Sequence, residues 1–158
     1  MAVKRSEVFE WISTLVRLAM AGILIFAAIP KAQNIPQSII AVRAYRLLPE
    51  ALVQFVGTML PFFEFALALF LLLGLFTRIA SIVWLVMMGA FMFGVIWAWT
   101  HGLSIDCGCF GGGGDVEEGT TNYPVHMLER VGFVILGTWL LIWPRTKFSL
   151  DGWMRGGN

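Results

Sequence analysis

Charged residues are scarce in this sequence. Of its 158 residues, 13% are charged and 58% are hydrophobic, and the mean hydropathy is +0.79, whereas soluble domains carry about 25% charged residues. This composition excludes a water-soluble fold and predicts a protein embedded in a lipid bilayer. The charges nearly balance, with 11 Lys and Arg against 10 Asp and Glu, so the sequence also lacks the basic field that nucleic-acid binding requires.

Cysteine is scarce as well. The chain has two, Cys107 and Cys109, which are too few for a disulfide scaffold. Any function of the pair is therefore confined to this one short segment of the chain. The sequence has no internal repeat and no linker that would divide it, so we expect a single domain over residues 1–158.

Long apolar runs are abundant. Crossing a hydrocarbon core about 30 Å thick takes about 20 apolar residues in a helix. Four runs approach this length: residues 11–29, 51–76, 79–99 and 125–143. They predict an all-α, four-helix membrane bundle with both termini on one side. The first run is longer than a signal peptide's apolar region of about 7 to 15 residues, which favours an uncleaved anchor.

Basic residues favour cytoplasmic termini, because short cytoplasmic loops are enriched in Lys and Arg. The predicted inner set is Lys4, Arg5, Arg78, Arg145, Lys147 and Arg155, and the outer set is Lys31, Arg43, Arg46 and Arg130. The expected location is the inner (cytoplasmic) membrane. Residues 36–49 predict a short amphipathic helix at the outer interface, ending at Pro49.

Both cysteines lie in a Gly-rich segment, His101 to Pro124, which this topology places on the outer, oxidising side. A disulfide needs Cα atoms about 4.4 to 6.8 Å apart, and residues i and i+2 of an extended chain lie near or beyond that limit. Closing Cys107 to Cys109 therefore requires a turn, which Gly108 permits because it has no Cβ to clash at positive φ. Strained, exposed disulfides are typically catalytic or regulatory, so the spacing predicts a redox-active pair.

Two other interpretations of the pair remain open. It could be an inert structural clip, although so small a ring removes little chain entropy. It could also bind a soft metal such as Cu(I), with His101 or a methionine as third ligand, although the sequence offers no second ligand cluster and we expect no metal site. His101 and His126 are interpreted as interfacial histidines.

Two ionisable residues fall within predicted spans, where a charge costs at least about 2.5 to 3.5 kcal/mol. If the second helix begins near Gly57, Glu64 lies close to the outer surface and within reach of Lys31. If the helix begins at Ala51, Glu64 lies near the midplane and Arg17 becomes its expected partner. A protonated Glu64, hydrogen-bonded within the bundle, is the third alternative. Arg17 is expected to extend to the inner headgroups.

Four short motifs follow one another along the chain. They are Ala-Ala-Ile-Pro-Lys ending at Lys31, Tyr45-Arg46-Leu47-Leu48-Pro49, Leu60-Pro61 followed by Glu64 and Gly74, and Cys107-Gly108-Cys109-Phe110-Gly111. Together they resemble the MauE family, within the DoxX-like group of small four-helix membrane proteins. The resemblance covers roughly residues 27–111, with a compatible fourth helix after it.

This resemblance implies a redox-associated membrane protein that works with an exported thioredoxin-like partner or a disulfide-containing client. In the namesake members it implies maturation of the disulfide-rich small subunit of methylamine dehydrogenase. On this chain the active pair would be Cys107 and Cys109, supported by Gly108, Lys31 and Glu64. A membrane quinone could reoxidise the pair, although the chain lacks a second cysteine pair to relay electrons. The alternative is a non-enzymatic assembly or chaperone subunit, in which the cysteines are a clip or a Cu(I) site.

Overall fold

The computed structural model describes residues 2–156, and the side chains of residues 2–5 and 155 lie outside that description. The predictions that rest on the basic side chains at positions 4, 5 and 155 therefore lie outside the described part. The helices are α1 (Ala2–Gln33), α2 (Ile35–Ala44), α3 (Glu50–Leu73), α4 (Thr77–Thr100), α5 (Tyr123–Ile142) and α6 (Leu150–Arg155). Two short strands, β1 (Ile105–Asp106) and β2 (Gly114–Asp115), lie between α4 and α5.

Four of these helices are long and apolar enough to cross a membrane: Ser6–Gln33 within α1, and the whole of α3, α4 and α5. The predicted all-α, multi-pass architecture is confirmed. The second span is shorter than predicted, because Gly74 adopts the left-handed conformation (φ 64°) and closes α3 after Leu73. Glycine is the residue that takes this position without strain.

The bundle core forms where α1 packs against α3 and α5, and where α4 packs against α5. Met20, Leu24, Leu71, Trp84 and Leu140 are fully buried there. Large apolar side chains on the outer helix faces remain exposed, which suits contact with lipid acyl chains. The core is therefore a narrow seam between helices, and the rest of each span faces the bilayer.

Arg17 lies inside the bundle, so the prediction that it reaches the inner headgroups is wrong. It is 2% exposed, and its Nη2 donates to the Phe148 carbonyl at 3.2 Å. The chain returns over Arg17 after α5 and supplies acceptors that the headgroups would otherwise provide. In the same region, Asp151 accepts hydrogen bonds from the backbone N–H groups of Phe76 and Thr77 at 2.9 and 2.8 Å. The N-terminal part of α1 and the C-terminal segment thus meet at one end of the bundle.

The connection between α1 and α3 departs from prediction at Pro49. The helix expected to end there stops at Ala44, and Pro49 instead caps the start of α3. The helix α2 packs tightly on α3: a Cβ on Gly57 would lie 2.6 Å from the Ile39 Cα. Within α3, the Gly57 carbonyl has no helical hydrogen-bond donor, because the residue four positions later is Pro61, which lacks an N–H. The Ser38 hydroxyl of α2 donates to this carbonyl instead, at 2.7 Å. This bond fixes α2 against the membrane bundle.

Candidate functional site

The cysteine-bearing segment folds into a compact cap. Strands β1 and β2 pair antiparallel, with Ile105 opposite Asp115, and Ile105 is buried beneath the cap. The Asp106 carboxylate accepts hydrogen bonds from the backbone N–H groups of Gly108 and Gly113, at 3.4 and 3.2 Å. These bonds bend the chain between the two cysteines.

Gly108 supplies the turn that the spacing required. It adopts φ 64°, a conformation that residues with a Cβ rarely take. A Cβ at this position would also lie 2.7 Å from the Ala41 Cβ of α2. The glycine therefore serves both the turn and the close approach of the cap to α2.

Cys107 and Cys109 are free, half-buried thiols. The Tyr45 hydroxyl donates to the Cys107 carbonyl at 3.0 Å and ties the cap to the end of α2. The Cys107 Sγ lies 3.8 Å from Nδ1 of His126. The Cys109 Sγ lies 2.6 Å from Nη2 of Arg130. Each sulfur thus faces a nitrogen-bearing side chain of α5.

Arg130, which the sequence places only among the outer basic residues, lies at the centre of the site. It is 2% exposed, and its Nη1 donates to the His126 carbonyl at 2.7 Å while Nη2 contacts Cys109. His126, interpreted as an interfacial histidine, also lies at the site. The signal was available: the two residues are four apart, hence on one helix face, and an arginine within an apolar helix suggests function by default.

The thiol pair ionises in two well-separated steps. The hydrogen bond from the Cys109 thiol and the nearby Arg130 outweigh burial and lower the pKa of Cys107 to about 5. That same hydrogen bond, burial and the charge on Cys107 raise the pKa of Cys109 well above that of an ordinary thiol. The reduced pair therefore carries one negative charge at neutral pH, shared between two interacting sulfurs. The thiolate is the nucleophile in disulfide exchange.

Beneath the pair, Lys31 and Glu64 form a buried ion pair. The Lys31 Nζ lies 2.6 Å from Oε1 of Glu64, with the two side chains 4% and 1% exposed. The two alternatives for the start of the second helix were each partly right. The helix α3 begins early, at Glu50, yet the partner is Lys31, because α1 continues to Gln33 and its last turn stays packed in the bundle.

A cavity of about 20 Å³ lies between Glu64 of the ion pair and Cys109. Glu64, Cys109 and Arg130 line it, together with apolar side chains of α1, α4 and α5. Oε2 of Glu64 and Nε of Arg130 are buried and have no hydrogen-bond partner within the described residues. The cysteines, the arginine and the ion pair thus form a polar cluster around this cavity, inside an apolar bundle.

The metal alternative receives no geometric support from His101. Its ring stacks on Trp97, with centroids 3.8 Å apart, and its Nδ1 lies 2.9 Å from the Trp97 carbonyl oxygen. Within residues 2–156, no group of three or more His, Cys, Asp or Glu side chains is arranged to hold a metal ion.

Comparison with protein families identifies a matching family. The model of a family described as methylamine utilisation protein MauE matches residues 9–143. This range includes all four spans, apart from the first residues of α1, and both cysteines. No curated protein and no solved structure matches the chain.

Proposed function

This chain belongs to the MauE family of methylamine utilisation proteins, and on that premise we propose that it exchanges disulfides through Cys107 and Cys109 during the maturation of exported proteins. The observation that carries the proposal is Arg130, buried in the bundle with Nη2 2.6 Å from the Cys109 Sγ. A buried guanidinium needs a negative charge beside it. The thiolate of the reduced pair supplies that charge.

In the proposed exchange the two cysteines have different parts. Cys107 has the lowered pKa and does not line the cavity, whereas Cys109 lines it beside Arg130 and Glu64. In the direction that oxidises this chain, the Cys107 thiolate attacks a disulfide of the partner and expels one partner thiolate. Cys109 then attacks the Cys107 Sγ and expels the partner's second thiolate. Two electrons pass to the partner, and a Cys107–Cys109 disulfide forms.

The reverse sequence donates the disulfide to a client dithiol. Stabilising the thiolate of the reduced pair raises the reduction potential, as it does in strongly oxidising dithiols. Arg130 and the low pKa of Cys107 therefore favour donation to a client, with the pair reoxidised by an exported thioredoxin-like disulfide protein. The cavity beside Cys109 admits about one water molecule, which favours a protein oxidant over a quinone held in that cavity. Reoxidation is therefore assigned to the protein partner.

The proposal places the cysteine cap outside the cytoplasm and both termini inside. Of the outer basic residues, Lys31 and Arg130 are buried in the cluster, which leaves Arg43 and Arg46 as exposed cations there. This strengthens the charge asymmetry that favours cytoplasmic termini. A membrane-impermeant maleimide should label Cys107 in intact cells; labelling only after the membrane is opened would reverse the orientation.

A Cys109→Ala variant tests the exchange. Without Cys109, the mixed disulfide on Cys107 cannot be resolved, so an exported thioredoxin-like protein or client should be trapped under mild oxidation. Non-reducing electrophoresis and mass spectrometry identify the adduct. Cys107→Ala is the matched control and should trap nothing. Absence of any adduct from the Cys109→Ala variant would contradict the exchange function.

A non-enzymatic assembly subunit is the second candidate, and the Lys31–Glu64 pair favours it. A buried ion pair between two spans fixes how they pack and does not itself require thiol chemistry. The two candidate functions predict different effects of removing the cysteines. Replacing both cysteines by serine should abolish client maturation if exchange is the function, and should leave it intact if assembly is.

A further inference from the structure

Glu64 has one carboxylate oxygen bonded and one without a partner. Oε1 accepts from Lys31 at 2.6 Å, whereas Oε2 is buried with no hydrogen-bond partner within the described residues. Buried polar atoms are almost always satisfied by protein or by ordered water. An oxygen left open inside a membrane bundle therefore indicates something that binds to it.

The cavity beside Glu64 has room for one water molecule, and three polar residues stand in its otherwise apolar lining. Its volume is about 20 Å³, and a water needs about 10 to 15 Å³ with two to four polar partners. Glu64 and Cys109 line it, and so does Arg130, whose Nε is also without a partner within residues 2–156. A water there has an acceptor, a donor and a thiol around it.

We propose that this cavity holds a water which connects Glu64 to Cys109, and that Glu64 accepts the proton Cys109 loses when it resolves a mixed disulfide. The inference deepens the proposed exchange function and rests on it. In the step, the Cys109 S–H proton passes through the water to the Glu64 carboxylate. The Cys109 thiolate attacks the Cys107 Sγ, the Cys107–Cys109 bond forms, and the other sulfur of the mixed disulfide leaves as a thiolate.

The charges around the cavity make this transfer feasible without a change in net charge. Lys31 of α1 faces Glu64, Arg130 of α5 faces Cys109, and α4 contributes apolar side chains to the lining. On the α2 side, the polar groups nearest the site are the hydroxyls of Ser38 and Tyr45, and the ion pair that also joins α2 to α3, Arg43 with Glu50, is exposed. While Cys107 is in a mixed disulfide, Arg130 faces no thiolate. Moving the proton shifts one negative charge from the Lys31 side of the cavity to the Arg130 side.

The test uses the reduced full-length protein in lipid nanodiscs and an aromatic disulfide, dithiobis-nitrobenzoate, as oxidant. Attack by Cys107 releases one coloured nitrothiobenzoate. Attack by Cys109 on the resulting mixed disulfide releases the second. The first phase reports the nucleophile, and the second reports the step that requires a proton acceptor.

We expect Glu64→Gln to leave the first phase within about twofold and to slow the second about a hundredfold at neutral pH, the usual scale of general base catalysis. The slow phase should then rise about tenfold per pH unit, since it depends on the free thiolate fraction of Cys109, and approach the wild-type rate in alkali. A merely structural role for Glu64 would not produce this pH profile.

Two control variants separate proton transfer from damage to the fold. A double variant, Lys31→Gln with Glu64→Gln, removes both charges of the pair and should show the same slow second phase. His126→Gln alters the histidine beside Cys107 and should affect the first phase alone.

An unchanged second phase in Glu64→Gln overturns the proposal, as does recovery of the rate in the double variant, which would trace the defect to an unpaired Lys31. Slowing of the second phase by His126→Gln but not by Glu64→Gln would assign the base to His126 and also overturn it. Absence of a second phase in the wild type contradicts the exchange function itself. A second phase that survives in Cys109→Ala would contradict it too.

Discussion

Replacing Arg130 with methionine should lower the reduction potential of the Cys107–Cys109 pair. Methionine keeps the length of the side chain and removes the charge that lies 2.6 Å from the Cys109 Sγ. The reduced pair holds a thiolate and the disulfide holds none, so the guanidinium stabilises the reduced form selectively. Loss of that stabilisation makes the pair a weaker oxidant.

The size of the effect follows from the ionisation of the pair. A pKa of about 5 for Cys107 lies roughly two units below neutral pH, which corresponds to about 3 kcal/mol in favour of the reduced form. For a two-electron couple this equals about 60 mV. Arg130 supplies part of the pKa shift and the hydrogen bond from Cys109 supplies more, so we expect a fall of tens of millivolts and at most about 60 mV.

The pH dependence gives a second signature with a definite sign. Below the pKa of Cys107, reduction takes up two protons and the potential falls about 60 mV per pH unit; above it, reduction takes up one proton and the slope halves to about 30 mV. The wild-type break should lie near pH 5. Because Arg130 lowers this pKa, the break in Arg130→Met should move to higher pH.

The assay is titration of the protein in nanodiscs against defined glutathione buffers, with alkylation and mass shift to count free thiols. Arg43→Met is the matched control, because Arg43 is an exposed arginine on α2 that pairs with Glu50. It should leave both potential and break unchanged. Arg130→Lys, which keeps the charge, should restore part of the potential. A wild-type potential and break in Arg130→Met would refute the role assigned to Arg130.

Three further predictions concern the frame of the site. Ser38→Ala should lower the thermal stability of the protein in detergent by about 1 to 3 kcal/mol, because it leaves the buried Gly57 carbonyl unpaired; an unchanged melting temperature would contradict this. Gly108→Ala should strain the cap by about 1 to 2 kcal/mol at φ 64°, measured as faster proteolysis within the cap while the spans stay intact. Tyr45→Phe should destabilise the cap by about 0.5 to 1.5 kcal/mol, because it loses the hydrogen bond to the Cys107 carbonyl. Amide hydrogen exchange in the cap should then be faster, and an unchanged exchange rate would show that this bond does not form.

The spans could be predicted from sequence because the bilayer imposes a length and a composition on each of them. Their ends could be predicted less well, since they depend on single residues such as Gly74, which closes α3, and Pro49, which starts it. Proline fits both the end of one helix and the start of the next. Choosing between these roles required knowing that Tyr45 leaves α2 to reach the cysteine cap.

The site could be predicted in part for a similar reason. Cys107 and Cys109 are marked by their own spacing, and Gly108 by the turn that this spacing needs. The contact between Cys109 and Arg130 joins residues 21 apart in sequence, and it exists because the segment between α4 and α5 folds back over the bundle. A local sequence pattern does not predict that a segment folds back in this way. The same reasoning applies to Arg17, whose acceptor at Phe148 is 131 residues away.

The net charge of the buried cluster depends on its redox state. Lys31 and Glu64 cancel one another at 2.6 Å, and Arg130 is cancelled by the thiolate of the reduced pair. Forming the disulfide removes that thiolate and leaves the cluster with one uncompensated positive charge in an apolar bundle, which is costly. In the proposed exchange, the oxidised form is therefore the higher-energy state of the cluster, and a client that supplies electrons would return a thiolate beside Arg130 and relieve it. A neutral residue at position 130 would remove this asymmetry, so under the proposed function the arginine would give the pair a preferred direction of exchange that two cysteines and a glycine do not have by themselves.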